Sequence, residues 1–235
     1  MRAAHPFRLV LTLFLALWPA AAMGWPCPES FKNLGRTSSA KSPLLRSPDG
    51  RSVAWSLAVL QKDPEMSRGQ LAIQDTQSGH IEIAFQTEKR VAGAYDAFCA
   101  IDWSADGRFL LVQQIIGPMN SDASFDALWI YDRERDGRMS VDLSHLRRTA
   151  LAYWRKRGVK LEHEDWHLDA KGWEGAGSKR IVLHMYGRES FFGAWSVSMT
   201  GREPRLLAGA KDGFSIKRFG EIIDEVPDSS KELMK

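Results

Sequence analysis

Cysteine is nearly absent. The chain of 235 residues holds two, Cys27 and Cys99, and they form no Cys-x-x-Cys pair, so a vicinal redox centre is excluded. Beyond the first twenty residues no apolar run approaches membrane length, which leaves no spanning helix after the N-terminal segment. Neither sign of charge dominates. Lys and Arg number 32 against 29 Asp and Glu, and Arg2 and Arg8 lie in that segment, leaving 30 against 29, about +1. A balance so near neutral gives no footprint for nucleic acid or an anionic membrane surface. There is no Gly-x-Ser-x-Gly elbow, phosphate-binding loop or dinucleotide fingerprint, and no cofactor is expected.

The N-terminal segment reads as an address. Arg2 and Arg8 accompany ten apolar residues, Leu9 to Trp18, followed by Pro19 and the small residues of Ala20-Ala21-Ala22-Met23-Gly24. This is the pattern of a secretory signal peptide over residues 1–24, cleaved after Ala22 or Gly24 and too short to span a bilayer. An uncleaved N-terminal anchor is the alternative. Trp25-Pro26 before Cys27 is not the small-residue context of a lipoprotein anchor, so the expected location is periplasmic or secreted. In an oxidising compartment the two cysteines point to a Cys27–Cys99 disulfide, with two buried thiols as the alternative. A closed loop of about 72 residues would contribute roughly 4 kcal/mol through the unfolded state. The roughly 210 residues after the leader suit one domain with its own core.

A phrase then occurs twice. Ser47-Pro48-Asp49-Gly50-Arg51 leads into Val53-Ala54-Trp55, and 57 residues later Ser104-Ala105-Asp106-Gly107-Arg108 leads into Phe109-Leu110-Leu111-Val112. Downstream, Leu71 to Asp75 precedes a turn at Ser78-Gly79, and Leu128 to Asp132 precedes one at Asp136-Gly137; Asp75 and Asp132 are again 57 residues apart. Two elements sharing one offset indicate an internal repeat. Asp-Gly supplies tight turns, and the period-two alternation of Leu71, Ile73, Ile81, Ile83 and Phe85 is that of half-buried strands. A degraded third unit runs from Trp166 and Asp169 through the glycines at 172–177 to Ile181–Tyr186, then Trp195–Ser198 and Arg205–Leu207. A last strand is expected at Phe214–Ile216. Leu143, Leu146, Ala150 and Trp154 fall at helical spacing, with Asp142 or Ser144 to cap the start and Gly158 to end it. The expected organisation is a lead-in at 25–43 and a β domain at 44–223, then a polar tail at 224–235. The β domain has units at about 44–86, 101–143 and 164–208 and an inserted helix at 144–157.

The Ser-Pro-Asp-Gly-Arg phrase before an apolar strand, with a later strand ending in Asp and a Ser-Gly turn, resembles the WD-repeat-like blades of Tol-type periplasmic β-propellers and of prolyl oligopeptidase propeller domains. The resemblance covers roughly residues 44–207. It implies four-stranded antiparallel blades and binding by rim loops. Propellers usually close with four to eight blades, and three units are clear. The fold expected is therefore mainly β: propeller-like antiparallel repeats in a small or incomplete ring, with one inserted α-helix. An open arc, half of a homodimeric ring and a twisted sandwich built from the same hairpins are the other arrangements.

His163-Glu164-Asp165-Trp166-His167 matches His-Glu-x-x-His, in which two histidines one helical turn apart bind zinc and the glutamate is a general base. Here Gly158 ends the helix beforehand, and Val159, Leu161 and His163 alternate as on a strand, where positions four apart are about 13 Å distant. A zinc hydrolase using His163 and His167 is accordingly the lesser alternative. Asp75 and Asp132 are turn formers rather than a catalytic pair. Trp55, Trp103, Trp129 and Trp195 belong to strands and the core; Trp166 and Trp173 lie near turns, where exposed rings could bind glycan or protein. Arg147, Arg148, Arg155, Lys156 and Arg157 make a basic helix face, solvated or met by an acidic partner. The loops at 60–69, 115–126 and 187–193 emerge on one side, and function tends to sit on such loops. Met119, Asn120, Phe191, Phe192 and Trp173 are the candidate contacts. The function expected is non-catalytic binding of another protein, as by an inhibitor or immunity protein, with an envelope glycan-binding module as a further alternative.

Overall fold

The computed structural model describes residues 39–59, 68–87, 94–118, 125–159, 166–177, 179–187, 191–208, 214–219 and 222–227. Its local order starts at the two Asp-Gly phrases, which close identical turns. Gly50 N–H donates to Ser47 O and Gly107 N–H to Ser104 O, at 2.9 and 2.8 Å. Each serine hydroxyl donates to the aspartate two residues on, Ser47 to Asp49 and Ser104 to Asp106. Each also accepts the amide that opens the next strand, at Ser52 and Phe109. Gly50 and Gly107 stand at φ 71° and 69°, where a side chain would be strained.

The described strands form three larger antiparallel sheets, and the two turns lie within the first and the second. The first contains β1 (Ser39–Lys41), β2 (Leu45–Arg46), β3 (Ser52–Val59), β4 (Arg68–Asp75) and β5 (Ile81–Gln86), with β1 and β2 lying in succession along β3. The second is β6 (Ala94–Trp103), β7 (Phe109–Pro118), β8 (Phe125–Asp132) and β9 (Gly137–Val141), paired in that order. After helix α1 (Ser144–Arg155) comes the third, β10 (Trp166–Trp173), β11 (Arg180–Gly187), β12 (Phe191–Ser198) and β13 (Arg205–Ala208). A hairpin of β14 (Phe214–Phe219) and β15 (Ile222–Pro227) follows. The molecule is thus mainly β, built of propeller-like antiparallel repeats with one inserted helix.

The expected boundaries shift in three places. The first sheet begins at Ser39 rather than 44, and the second at Ala94 rather than 101. Strand β15 continues through Pro227, into the residues assigned from sequence to a polar tail. The third unit keeps the repeat's hydrogen bonds without its phrase. Thr76 N–H donates to Arg51 O, Arg133 N–H to Arg108 O, and Met199 N–H to Lys179 O, so Ser198 stands where Asp75 and Asp132 stand.

Two inter-sheet cores hold the array together. Ala54, Leu71, Ile73 and Phe85 of the first sheet meet Phe98, Trp103, Leu110, Val112 and Tyr131 of the second. The other face of the second sheet, with Leu111, Leu128 and Ile130, meets Leu168, Ile181, Leu183, Met185, Trp195 and Val197 of the third. Helix α1 joins this second core through Leu146, Ala150 and Trp154, spaced four apart and all buried. Its start has Leu143 in the capping position without a side-chain cap; Asp142 instead accepts the Ser144 amide at 2.9 Å. Gly158, at φ 81°, ends it. Among the described residues no helix is long and apolar enough to cross a membrane. Cys99 is fully buried in β6, and Cys27 lies outside the described residues.

Candidate functional site

The register between repeats tells structural residues from the rest. Ser56 pairs across to Leu71, Gln113 to Leu128 and His184 to Ala194, so these three occupy one position in successive sheets. The first two are joints. Ser56 Oγ accepts the Ala100 amide of the next sheet at 3.3 Å, and Gln113 Oε1 accepts the Ala170 amide at 3.0 Å. Gln113 also donates its amide to Leu168 O at 3.2 Å. Ala100 and Ala170 each sit at the edge of a bulge, where the ladder slips and frees an amide. A second joint recurs: Trp103 Nε1 donates to Leu45 O, and Trp173 Nε1 to Asp102 O. Arg46 fills the tryptophan position of the first sheet.

Ionic contacts lock the turns. Arg133 holds Asp49 at 2.7 Å and so ties the first sheet's turn to the second sheet. The Arg133 guanidinium, opposed by partial burial and reinforced by Ser47 and the Arg51 amide, keeps the Asp49 carboxyl well below its ordinary range. Asp132 is nearly buried and takes both Nε and an Nη of Arg108, at 2.9 and 2.8 Å. Asp75 accepts the amides of Gln77 and Ser78. Both aspartates therefore work in turns, as their place in the repeat implied.

Against this template two regions stand out. The first is the outward face of the first sheet, where Val53, Trp55, Leu57, Ala72, Ile81 and Ile83 share one side. The same positions in the second and third sheets, Leu110 and Val112 or Ile181 and Leu183 among them, are the inter-sheet cores. In the first sheet Ile81 is 51% exposed and Ile83 43%. Lys41 Nζ lies 4.7 Å above the Trp55 ring on this face.

The second region is one end of the third sheet. In the second sheet Ala97 pairs with Ile115 and Cys99 with Gln113; the same places in the third hold His167 with Tyr186 and Asp169 with His184. Ala97, Ile115, Cys99 and Gln113 are replaced, position for position, by titratable groups. Asp169, 4% exposed, has His167 Nε2 at 3.8 Å and Lys171 Nζ at 3.6 Å. His184 Nδ1 and Tyr186 Oη share a 2.9 Å hydrogen bond, His167 stacks on Tyr186, and Phe191 packs edge-on to His184. Among the described residues no three or more His, Cys, Asp or Glu side chains are arranged so that they could hold a metal ion.

Of the residues singled out from sequence, Met119, Asn120 and His163 lie outside the described residues. Phe191 belongs to the polar cluster. Phe192 is half-buried against Trp154, which donates its indole N–H to Phe192 O. Trp173 is half-buried and engaged in its joint with Asp102, and Trp166 is buried rather than exposed. His167 is the second residue of β10, so the helical turn that His-Glu-x-x-His requires does not extend to it. Among the described tryptophans Trp55, Trp129 and Trp173 are half-buried and the others buried. On the basic helix face Arg147 lies over Trp166 and Arg157 over Tyr153, so part of that charge is stacked rather than free. Sequence reasoning missed the His167–Asp169–His184–Tyr186 replacement because only the strand register aligns those residues with their counterparts.

No family model matches the sequence, and no curated protein does. Among solved structures the chain is similar to Porphyromonas gingivalis dipeptidyl peptidase 4, at 13% identity and a TM-score of 0.46 over 74% of this chain and 26% of that one. It is also similar to oligogalacturonate lyase from Vibrio parahaemolyticus, at 12% and 0.42 over 73% and 41%. With putative TolB from Agrobacterium tumefaciens the values are 12% and 0.36 over 76% and 65%. The chain thus spans about a quarter to two-fifths of the length of the first two. Likeness at this level identifies no family, and the description of the fold rests on the strand pairing.

Proposed function

We propose that this chain is an exported, non-catalytic binding protein that engages another protein, in the manner of an inhibitor or immunity protein. One observation carries the reading. The outward face of the first sheet keeps the apolar character of an inter-sheet core while Ile81 and Ile83 stand in solvent. A terminal unit of a repeat array that faces water normally carries a polar outer surface, and an apolar patch with a charged border is the usual anatomy of a recognition site. Lys41 and Arg46 border the patch, so the partner's matching surface is apolar with acidic groups at its rim. The signal peptide over residues 1–24, a Cys27–Cys99 disulfide and further contacts from Met119, Asn120 and Phe191 belong to the same proposal.

The test uses the mature chain and the Ile81→Asp/Ile83→Asp double variant. Both side chains are exposed, so the double variant should keep the wild-type thermal midpoint within the roughly 0.5 kcal/mol typical of surface changes. Affinity capture from periplasmic extract should yield a stoichiometric partner with the wild type and lose it with the variant. Light scattering on the purified chain distinguishes a second copy as the occupant. Capture that is indifferent to both substitutions would overturn the assignment.

A further inference from the structure

We infer that the outer edge of β5 takes up an extended segment of the partner as an added strand of the first sheet, with apolar residues opposite Ile81 and Ile83 and a basic residue opposite Glu82. This rests on the reading of Ile81 and Ile83 as a recognition surface and adds how the partner is held. The starting point is the hydrogen-bond ladder. Where the β4–β5 hairpin turns, Asp75 N–H donates to His80 O at 2.9 Å. Antiparallel partners alternate between bonded and unbonded pairs, so the next bonded pair along the register is Ile73 with Glu82. Glu82 therefore directs its N–H and C=O at β4, and the N–H and C=O of Ile81 and Ile83 point to the edge. Among the described residues no strand lies there, since β5 is the last strand of its sheet. The other two outer strands are blunted. Strand β9 has five residues and carries Arg138, and β13 has four and carries Arg205; short length and positive charge both discourage edge pairing. Strand β5 has six residues and no Lys, Arg or Pro. The bulge opposite Leu71 and Ala72 ends its regular edge after Ile83, so the added strand is short.

Glu82 sets the chemistry of the incoming strand. It pairs across to Ile73, on the opposite side of the sheet from Ile81 and Ile83, and Tyr131 hydrogen-bonds its side chain. No ion pair joins it to a described residue. A second copy of this chain is therefore a poor occupant. Two β5 edges related by a two-fold axis would match Ile81 with Ile83 of the copy and set Glu82 directly against Glu82, and like charges in facing positions destabilise a strand pair. A strand that reads apolar, basic, apolar meets the same three residues without that conflict. Its apolar side chains cover Ile81 and Ile83, which stand 51% and 43% exposed, and its Lys or Arg reaches Glu82 on the other face. Antiparallel pairing continues the ladder already present between β4 and β5. In this mode of recognition the backbone bonds supply affinity and the alternate side chains supply specificity.

The experiment is an NMR titration of the full mature chain with a capped peptide of alternating valine and lysine, carried to millimolar concentration. Binding should shift the amides of residues 81–83 and slow exchange of the Ile81 and Ile83 amides about ten-fold, leaving that of Glu82, already bonded to β4, unchanged. The same peptide methylated on its valine nitrogens cannot donate to the Ile81 and Ile83 carbonyls and should not bind. Glutamate in place of lysine should weaken binding several-fold. Ile83→Pro removes one outward N–H and no bond to β4, a change that edge strands accept, and should abolish binding; Ile83→Ala keeps the N–H and should weaken it less. Should Ile83→Pro fail to fold, the methylated peptide decides the same point. Equal binding of methylated and unmethylated peptides, shifts at the isoleucine methyls without protection of their amides, or no binding at all overturns strand addition. The apolar face as a recognition surface is judged separately, by partner capture with the wild type and its loss in the Ile81→Asp/Ile83→Asp variant.

Discussion

At the scale of single residues, two aspartates in the second sheet carry opposite electrostatic consequences. Asp132 is held below its ordinary value of 3.8, chiefly by its hydrogen bonds from Arg108, with partial burial working against them. Its folded value lies below its unfolded one, so its contribution is complete above about pH 4 and drains away as pH falls through the folded value. Asp102 is raised above 3.8, chiefly by burial, against the amides of Trp173 and Trp103. Its charged form is therefore a cost at neutral pH, and the stability it contributes is present in acid and lost as pH rises through the folded value. Asp132→Asn should lower unfolding stability by about 1 kcal/mol at pH 7, because it removes the carboxylate that takes two Arg108 nitrogens and leaves Glu134 as that guanidinium's ion-pair partner, and by much less at pH 3. Asp102→Asn should be neutral or stabilising at pH 7, since an amide still accepts from Trp173 N–H without the burden of a buried charge. Urea unfolding of both variants at the two pH values measures this. Matching losses in the two variants would show that the environments are not what separates them.

At the scale of elements, coupling between sheets runs through few polar contacts laid over apolar cores. Gln113 is the strongest: it is buried and uses both ends of its amide, accepting from Ala170 N–H and donating to Leu168 O. Gln113→Ala leaves a buried donor and a buried acceptor without partners, each worth about 1–3 kcal/mol. The expected outcome is a loss of about 3 kcal/mol in global stability, with exchange of the Ala170 amide accelerated more than that of β7 itself. Uniform acceleration across both strands would place the loss in packing rather than in the joint. These joints also show what could be read from the sequence. The turns at Asp49-Gly50 and Asp106-Gly107 were legible because their hydrogen bonds close within five residues. Helix α1 was legible because Leu146, Ala150 and Trp154 repeat at its period. The start of β6 was not, because Asp96 and Asp102 interrupt its apolar pattern. Asp96 is explained by Gln114, which donates to it at 2.8 Å, and Asp102 by the Trp173 amide. The joint series was illegible for a different reason. Serine and glutamine share no side-chain type, and only the pairing with Leu71 and Leu128 shows that they are one position.

At the scale of the whole molecule the array is asymmetric end to end. The first sheet's outward face is apolar, with Ile81 and Ile83 in solvent, while the third sheet's is built from Arg180, His184, Asp169 and Ser196. Between them the second sheet is covered on both sides, and Leu110, Leu111, Val112 and Ile130 are fully buried within it. In a stacked array each sheet draws stability from its neighbours, so the sheet with two neighbours opens last. Native-state hydrogen exchange should therefore rank β7 and β8 as the most protected strands, at the global unfolding free energy. Strands β3 and β4 should exchange through a smaller sub-global opening, because their outward face has no described sheet against it. Occupation of that face by a partner would close the gap, since a ligand that binds only the folded face adds its binding free energy to the opening of the unit it covers. Protection of β3 and β4 equal to that of β7 and β8 in the isolated chain would mean that the face contributes nothing to local opening, and would weaken the case for a partner seated there.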